Sequence, residues 1–249
     1  MLYRPWYGVF SFSMEPSMSS KLVDTAVALG KGIYSVGEDL VLGTQRTGEG
    51  LGAGKDGRMA EIGYENRVIA NLVIEAVKHG TSESGPLYRA IMYILEKYYS
   101  YFPEEVLLYL VKKANIVVAH TAGRMIIGKT LAKTIAIRVA AVVATSAAYK
   151  GLATRLGVSA GASATGVGVL ISLLMTQGVL QRSSHAAKRL QEKSSKLYSI
   201  LERNGDLQFL YFILEEPLEP YFEAISLAEH SELRFKSIVD ATYRDKIKQ

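Results

Sequence analysis

Residues 134–182 read TIAIRVAAVVATSAAYKGLATRLGVSAGASATGVGVLISLLMTQGVLQR, and the reading of this stretch decides the fold. Two apolar runs flank a short basic connection, Lys150 to Arg155. The first run, Thr134 to Tyr149, carries one charge, Arg138; the second, Leu156 to Gln181, carries none. A helix rises about 1.5 Å per residue, so the second run would be about 39 Å long. That exceeds the roughly 30 Å hydrocarbon core of a bilayer. The first run reaches about 24 Å on the same rise and extends backwards through Met125, Ile126 and Ile127.

Small residues recur in register along both runs. Gly128, Ala132, Ala136, Ala140, Ala144 and Ala148 follow one another every four residues, and Gly157, Gly161, Ala164, Gly168 and Ser172 every three or four. At 3.6 residues per turn each set forms a stripe on one helix face. Such stripes let two backbones approach closely, as in small-xxx-small pairs of membrane helices. The expected arrangement is a helical hairpin closed small face to small face. Val158, Val167, Val169, Leu170, Leu173 and Leu174 then point away, toward lipid or other helices. A hairpin buried in an ordinary helical core satisfies the same pattern, because alanine and glycine also permit tight ridge packing.

Charge is distributed unevenly around this centre. The 249-residue chain has net charge +5, yet no Asp or Glu lies between Glu105 and Glu192. Eleven of the 29 basic residues fall in that interval, among them Lys129, Lys133, Arg138, Lys150, Arg155 and Arg182, leaving the flanks with 18 basic against 24 acidic. A cationic, acid-free apolar centre between acidic flanks suits attraction to an anionic membrane surface. Nucleic-acid binding is disfavoured, because the basic residues alternate with apolar runs and not with loop aromatics that could stack on bases. A charge inside an apolar helix is functional or snorkels to the interface; Arg138 is read as the edge of an inserted segment or as part of a polar lining. Lys129 and Lys133 share a helix face, with Arg124 and Arg138 roughly opposite.

The rest of the chain reads as helices punctuated by Gly and Pro. Tyr3 to Met14 is a short extended arm, followed by an amphipathic helix from Leu22 to Leu40 and the glycine-rich segment GTQRTGEGLGAGKDG at 43–57. Gly52, Gly54 and Gly57 satisfy G-x-G-x-x-G, but no strand leads into them, so a hinge is expected in place of a dinucleotide site. Arg58 to His79 reads as a helix with Gly80 at C′. Pro86 opens the next at N1. Pro103 opens another, with Glu104 and Glu105 in its first turn, running through Ile116, Val117 and Val118 toward Gly123. After the hairpin, Ser183 to Asn204 reads as one amphipathic helix closed by Gly205; Asp206 caps a short apolar helix, Pro220 starts another, and a charged helix runs from Ser231. The expectation is an all-α multi-helix bundle in one domain. It comprises an N-terminal arm, helix and hinge (1–57), amphipathic helices (58–133), a central apolar hairpin (134–182) and C-terminal amphipathic helices (183–249).

Little in the sequence points to catalysis. Gly157-Val158-Ser159-Ala160-Gly161 matches G-x-S-x-G, and GVSAGAS resembles the nucleophile motif of patatin-like lipases, which would make Ser159 the nucleophile and GAGKDG a source of oxyanion donors. That elbow requires a buried strand before it. Leu152 to Leu156 is a poor strand, and no Asp-Gly-Gly or Asp-Gly-Ala follows. His79, His120, His185 and His230 have no metal-ligand spacing, and with no cysteine there is no thiol chemistry. Neither a metal nor a cofactor is expected. The opening MLYRPWYGVFSFSMEPSMSS does not read as a signal peptide, since its apolar part is short, aromatic and interrupted by Pro5.

A helical body around an apolar hairpin resembles bacterial pore-forming toxins, both the pore domains of colicins and the ion-conducting effectors delivered by type VI secretion. The resemblance is carried by Ile135 to Tyr149, Leu156 to Leu180, their basic link and the amphipathic helices around them; 67 residues follow the hairpin here, which favours a family separate from colicins. It implies an antibacterial protein made in the cytoplasm, exported by a dedicated machine and acting at the target cell's inner membrane. It also implies a cognate immunity protein, contact with a secretion component and assembly into a homo-oligomer in the bilayer. The residues themselves leave open a resident membrane protein of holin or scaffold type and a soluble helical binding protein.

Overall fold

The computed structural model describes residues 58–118, 122–146, 149–150 and 166–247, with side chains at 64–118, 122–146, 149–150, 177–244 and 246–247. The expected arm, helix and hinge over 1–57, the basic link at 151–155, and the span 156–165 lie outside the described residues. The described part is all-helical. Its helices are α1 (Arg58–His79), α2 (Pro86–Tyr99), α3 (Glu104–Lys113), α4 (Arg124–Thr145), α5 (Gly166–Lys193), α6 (Ser195–Arg203), α7 (Tyr211–Leu214), α8 (Glu219–His230) and α9 (Glu232–Ile247). A 3-10 turn, Leu207–Leu210, leads into α7.

Helix α2 is the element on which α1, α4, α6 and α8 meet. Its sequence, PLYRAIMYILEKYY, starts with proline, whose missing N–H costs nothing in the first turn. Nine of its side chains are buried, including Leu87, Ile91, Ile94, Leu95, Tyr98 and Tyr99. Burying an aliphatic or aromatic side chain of this size contributes about 1.5–3 kcal/mol, so α2 anchors the core. It packs against α1, α4, α6, α8 and the 3-10 turn. Its last turn enters an aromatic cluster: Tyr98 meets Phe102 and Tyr221 edge-on at 4.8 and 5.0 Å, and Phe102 meets Phe235 at 5.5 Å. Edge-to-face pairs at such distances are favoured by the ring quadrupole.

The first apolar run, 134–149, is helical in α4 as far as Thr145, after which Ser146 takes an extended backbone (ψ 151°) and ends the helix. The buried side of α4 is Ile127, Gly128, Leu131, Ala132, Ala136, Ala140 and Val143, and the helices it packs on are α2 and α3. The small-residue stripe is buried from Gly128 to Ala140, and at Gly128 it meets Tyr99 of α2 and Leu107 of α3; the side chains of the second small stripe, 157–172, lie outside the described residues. Helices α4 and α2 are antiparallel: Arg124 Nη2, at the start of α4, donates to the Ser100 carbonyl just past the end of α2. Farther along, Lys133 pairs with Glu83 at 3.3 Å, ahead of the start of α2. Tyr149 then donates to the Ala76 carbonyl at 3.1 Å, fastening the chain beyond α4 to α1.

Three boundaries differ from the sequence reading. The helix from Glu104 stops at Lys113, because Asn115 turns left-handed (φ 51°) and the Ile116 amide bonds back to the Val111 carbonyl at 3.0 Å. This is a Schellman closure with asparagine where glycine is usual, and it leaves Val117 exposed outside any helix. At the other side, α5 passes unbroken through Arg182 and Ser183 and stops at Ser194, whose hydroxyl accepts the Leu197 amide as the N-cap of α6. Asp206 makes no side-chain cap; it takes a left-handed backbone (φ 58°) directly after Gly205. Gly80 at C′ of α1 (φ 53°), Pro86 at the start of α2 and Pro220 in the first turn of α8 stand as the sequence predicts.

Candidate functional site

One helix has two different working faces. On α4 the stripe Gly128, Ala132, Ala136 and Ala140 is buried, while the stripe one residue later, Lys129, Lys133, Ile137 and Ala141, is exposed. A step of one residue turns about 100° around a helix, so a chain with period four presents small residues inward and this second series outward. The exposed face also carries Met125 at 72% exposure, Ile126 at 55% and Val142 at 45%, with Arg138 exposed beside them. It combines bulky apolar side chains with Lys129, Lys133 and Arg138, and α4 contains no acid. Lys133 reaches Glu83 across the surface, an exposed pair whose contribution is small.

At the N-terminal end of α4 this face meets a recess of about 620 Å³. The end of α2 supplies Tyr93, Glu96, Lys97 and Tyr99, and α4 supplies Arg124, Met125, Gly128 and Lys129. Burial raises the Glu96 carboxyl above its usual range, and the nearby Lys129 ammonium pulls it back down. Arg124 and Lys129 both line this recess, although five residues apart they leave the helix about 140° from each other.

A second polar cluster is enclosed. Glu229 on α8 has a side chain 6% exposed, and its Oε1 accepts the Tyr101 hydroxyl at 3.1 Å and the Ser194 hydroxyl at 2.9 Å. Lys97 Nζ lies 3.8 Å from the same oxygen and 4.5 Å from the centre of the Tyr101 ring. Burial lowers the Lys97 ammonium, with Glu229 opposing that shift and Lys196 adding to it. No motif or spacing signals this cluster, whose members are up to 132 residues apart in the chain. Its geometry ties α2, the α5–α6 junction and α8 together, and its members satisfy one another.

Of the hairpin residues singled out by sequence, Ala136 and Ala140 are buried on α4 and Ala144 is half-buried. Ala148, Gly157, Gly161 and Ala164 lie outside the described residues, as do Arg155, Ser159 and the glycine-rich segment. Gly168, Leu170, Leu173 and Leu174 belong to the helical backbone of α5, with their side chains outside the described set. Lys129, Lys133, Arg138 and Lys150 are exposed and Arg182 is half-buried. His79 sits beside Glu75 at 3.0 Å, His185 bonds Gln181 at 2.8 Å, and His230 is exposed at the end of α8. Among the described residues no group of three or more His, Asp or Glu side chains is placed to hold a metal ion. Among them, too, no helix is long and apolar enough to cross a membrane. Comparison with protein-family models, curated proteins and solved structures returns no match.

Proposed function

We propose that this chain is a membrane-active helical protein that lands on an anionic bilayer with the outer face of α4 and depolarises it by opening a pore. The observation that carries the reading is that face, where Lys129, Lys133 and Arg138 stand among Met125, Ile126, Ile137 and Val142 with no acid on the helix. A basic residue close to an anionic surface contributes about 1 kcal/mol, and each apolar side chain leaving water adds on the order of 1 kcal/mol. Cations set among apolar side chains on one exposed face suit contact with an anionic headgroup layer. The conducting step falls to the run 134–182, whose uncharged part, 156–181, is long enough to span once it trades protein neighbours for lipid. The toxin reading adds a homo-oligomer in the membrane, an immunity protein that protects the producer, and export by a secretion machine. On this reading the chain is not an enzyme.

A helical binding protein is the second reading. It is favoured by the contact of α4 with α2 and α3, which packs the small-residue side of α4 into the helical core. Co-sedimentation with vesicles separates the two. The membrane reading predicts binding that rises with the anionic lipid fraction and falls with salt, together with release of a trapped dye. Protein that stays in the supernatant at every composition supports the binding module.

A further inference from the structure

We propose that the recess between the end of α2 and the start of α4 binds a phosphodiester whose second arm carries a hydrogen-bond donor, as in phosphoethanolamine and phosphoglycerol headgroups. This deepens the membrane reading and rests on it for the lipid as the source. The recess, at about 620 Å³, falls within the roughly 300–1,000 Å³ of small-molecule sites. Gly128 lines it without a Cβ, so the α4 backbone comes close to Tyr99. Two cations of α4, Arg124 and Lys129, stand in its wall. The Arg124 guanidinium is oriented by donation to the Ser100 carbonyl, and it has five N–H donors in a fork that suits phosphate oxygens.

Glu96 decides what else the ligand must carry. It lines the same recess, and a bare anion placed there would lie near its carboxylate. A ligand that brings an ammonium or hydroxyl on its second arm replaces that repulsion with a hydrogen bond. Lys97, also in the wall, is drawn toward Glu229 and the Tyr101 ring, so it adds positive field to the recess while held from behind. Met125 belongs both to the recess and to the exposed face of α4. A headgroup seated among Arg124, Lys129 and Glu96 would thus bring its acyl chains out beside Met125 and Ile126.

The test uses the full chain and three soluble probes, glycerophosphoethanolamine, glycerophosphoglycerol and inorganic phosphate, followed by vesicles containing the corresponding lipids against phosphatidylcholine alone. Amide and side-chain NMR shifts report occupancy. The expected result is saturable shifts at Gly128, Lys129 and Ser100 with both diesters, and weaker binding of inorganic phosphate. Lys129→Ala should weaken the diesters about tenfold, the scale of one lost charge-assisted hydrogen bond. Glu96→Gln should reduce the preference for the diesters over phosphate. Lys236→Ala, on α9 and paired with Glu232 at 2.6 Å, should leave soluble-probe binding unaltered. No saturable shift with either diester overturns the site, and vesicle binding retained in that case leaves the membrane reading standing. Diester binding without vesicle binding keeps the recess as a site for a soluble phosphodiester and overturns the lipid as its source. Inorganic phosphate binding as tightly as the diesters overturns the role given to Glu96.

Discussion

Gly128 and Tyr99 face each other where α4 crosses the end of α2: a methyl built on Gly128 would lie 3.6 Å from the Tyr99 Cβ and 3.9 Å from Leu107 Cδ1. That is ordinary contact, so the site has room for one carbon and little more. Gly128→Ala should hold or raise stability, since alanine in a helix gains up to about 1 kcal/mol over glycine. Gly128→Leu should cost about 1–3 kcal/mol by overpacking. Urea unfolding of the two variants checks this; a leucine variant as stable as the alanine one would mean that α4 does not sit this close to α2.

The Glu229 carboxylate should matter more than its single acidic proton suggests. Removing it in Glu229→Ala orphans the Tyr101 and Ser194 hydroxyls and leaves Lys97 without its counter-charge. We expect a loss of about 2–4 kcal/mol, and a smaller loss for Glu229→Gln, whose amide oxygen still accepts. Denaturant midpoints of both proteins provide the measurement, and a change within about 0.5 kcal/mol for the alanine variant, the scale of an ordinary surface substitution, would contradict the arrangement.

Alkaline pH should destabilise the fold through its tyrosines. Burial raises the phenols of Tyr98, Tyr99 and Tyr211, and it pushes Tyr243 up to about 12. Burial also raises Tyr101, helped by the Glu229 carboxylate. The folded state keeps these protons at a pH where the unfolded chain, titrating near 10, releases them. Stability is therefore intact below pH 10 and declines as the pH rises toward 12 and beyond, by about 1.4 kcal/mol per pH unit for each fully buried phenol. Tyrosinate absorbance followed beside circular dichroism should show the buried phenols ionising only together with loss of helix. All 15 tyrosines titrating together on an intact fold would refute it.

Surface charge on α4 should set vesicle affinity. Lys129→Gln, Lys133→Gln and Arg138→Gln should each weaken binding to anionic vesicles about fivefold, equivalent to about 1 kcal/mol per basic residue, with additive effects that fade at high salt. Ile137→Ser should weaken binding by a salt-independent amount. If the three charge variants bind like the parent at low salt, the outer face of α4 is not the contact.

What the sequence discloses and what it hides follow from the range of the forces involved. The ends of α1 and α2 were legible because Gly80 and Pro86 act on their own backbone, whatever surrounds them. The stop at Asn115 was not, since asparagine adopts a left-handed conformation only when context favours it, and the apolar run Ile116 to Val118 argued for continuation. The unbroken passage of α5 through Ser183 depends on a contact with distant chain: the Ser183 hydroxyl is buried and donates to the Phe209 carbonyl at 2.6 Å. The alanine stripe of α4 was plain in the sequence, but a stripe says only that something approaches closely. At Gly128 the neighbours are Tyr99 of α2 and Leu107 of α3, which the stripe does not name. Of the site, the cations of α4 could be read directly. The recess could not, because Glu96 and Arg124 meet only through the antiparallel packing of two helices.

The central claim is best tested by conductance across a planar bilayer containing an anionic lipid fraction, using the folded 249-residue chain beside Arg138→Glu. The account predicts discrete current steps from the parent protein and far rarer steps from the variant, whose reversed charge opposes arrival at the membrane. A bilayer that stays silent while circular dichroism shows the protein folded would contradict pore formation and leave the helical binding module as the standing account.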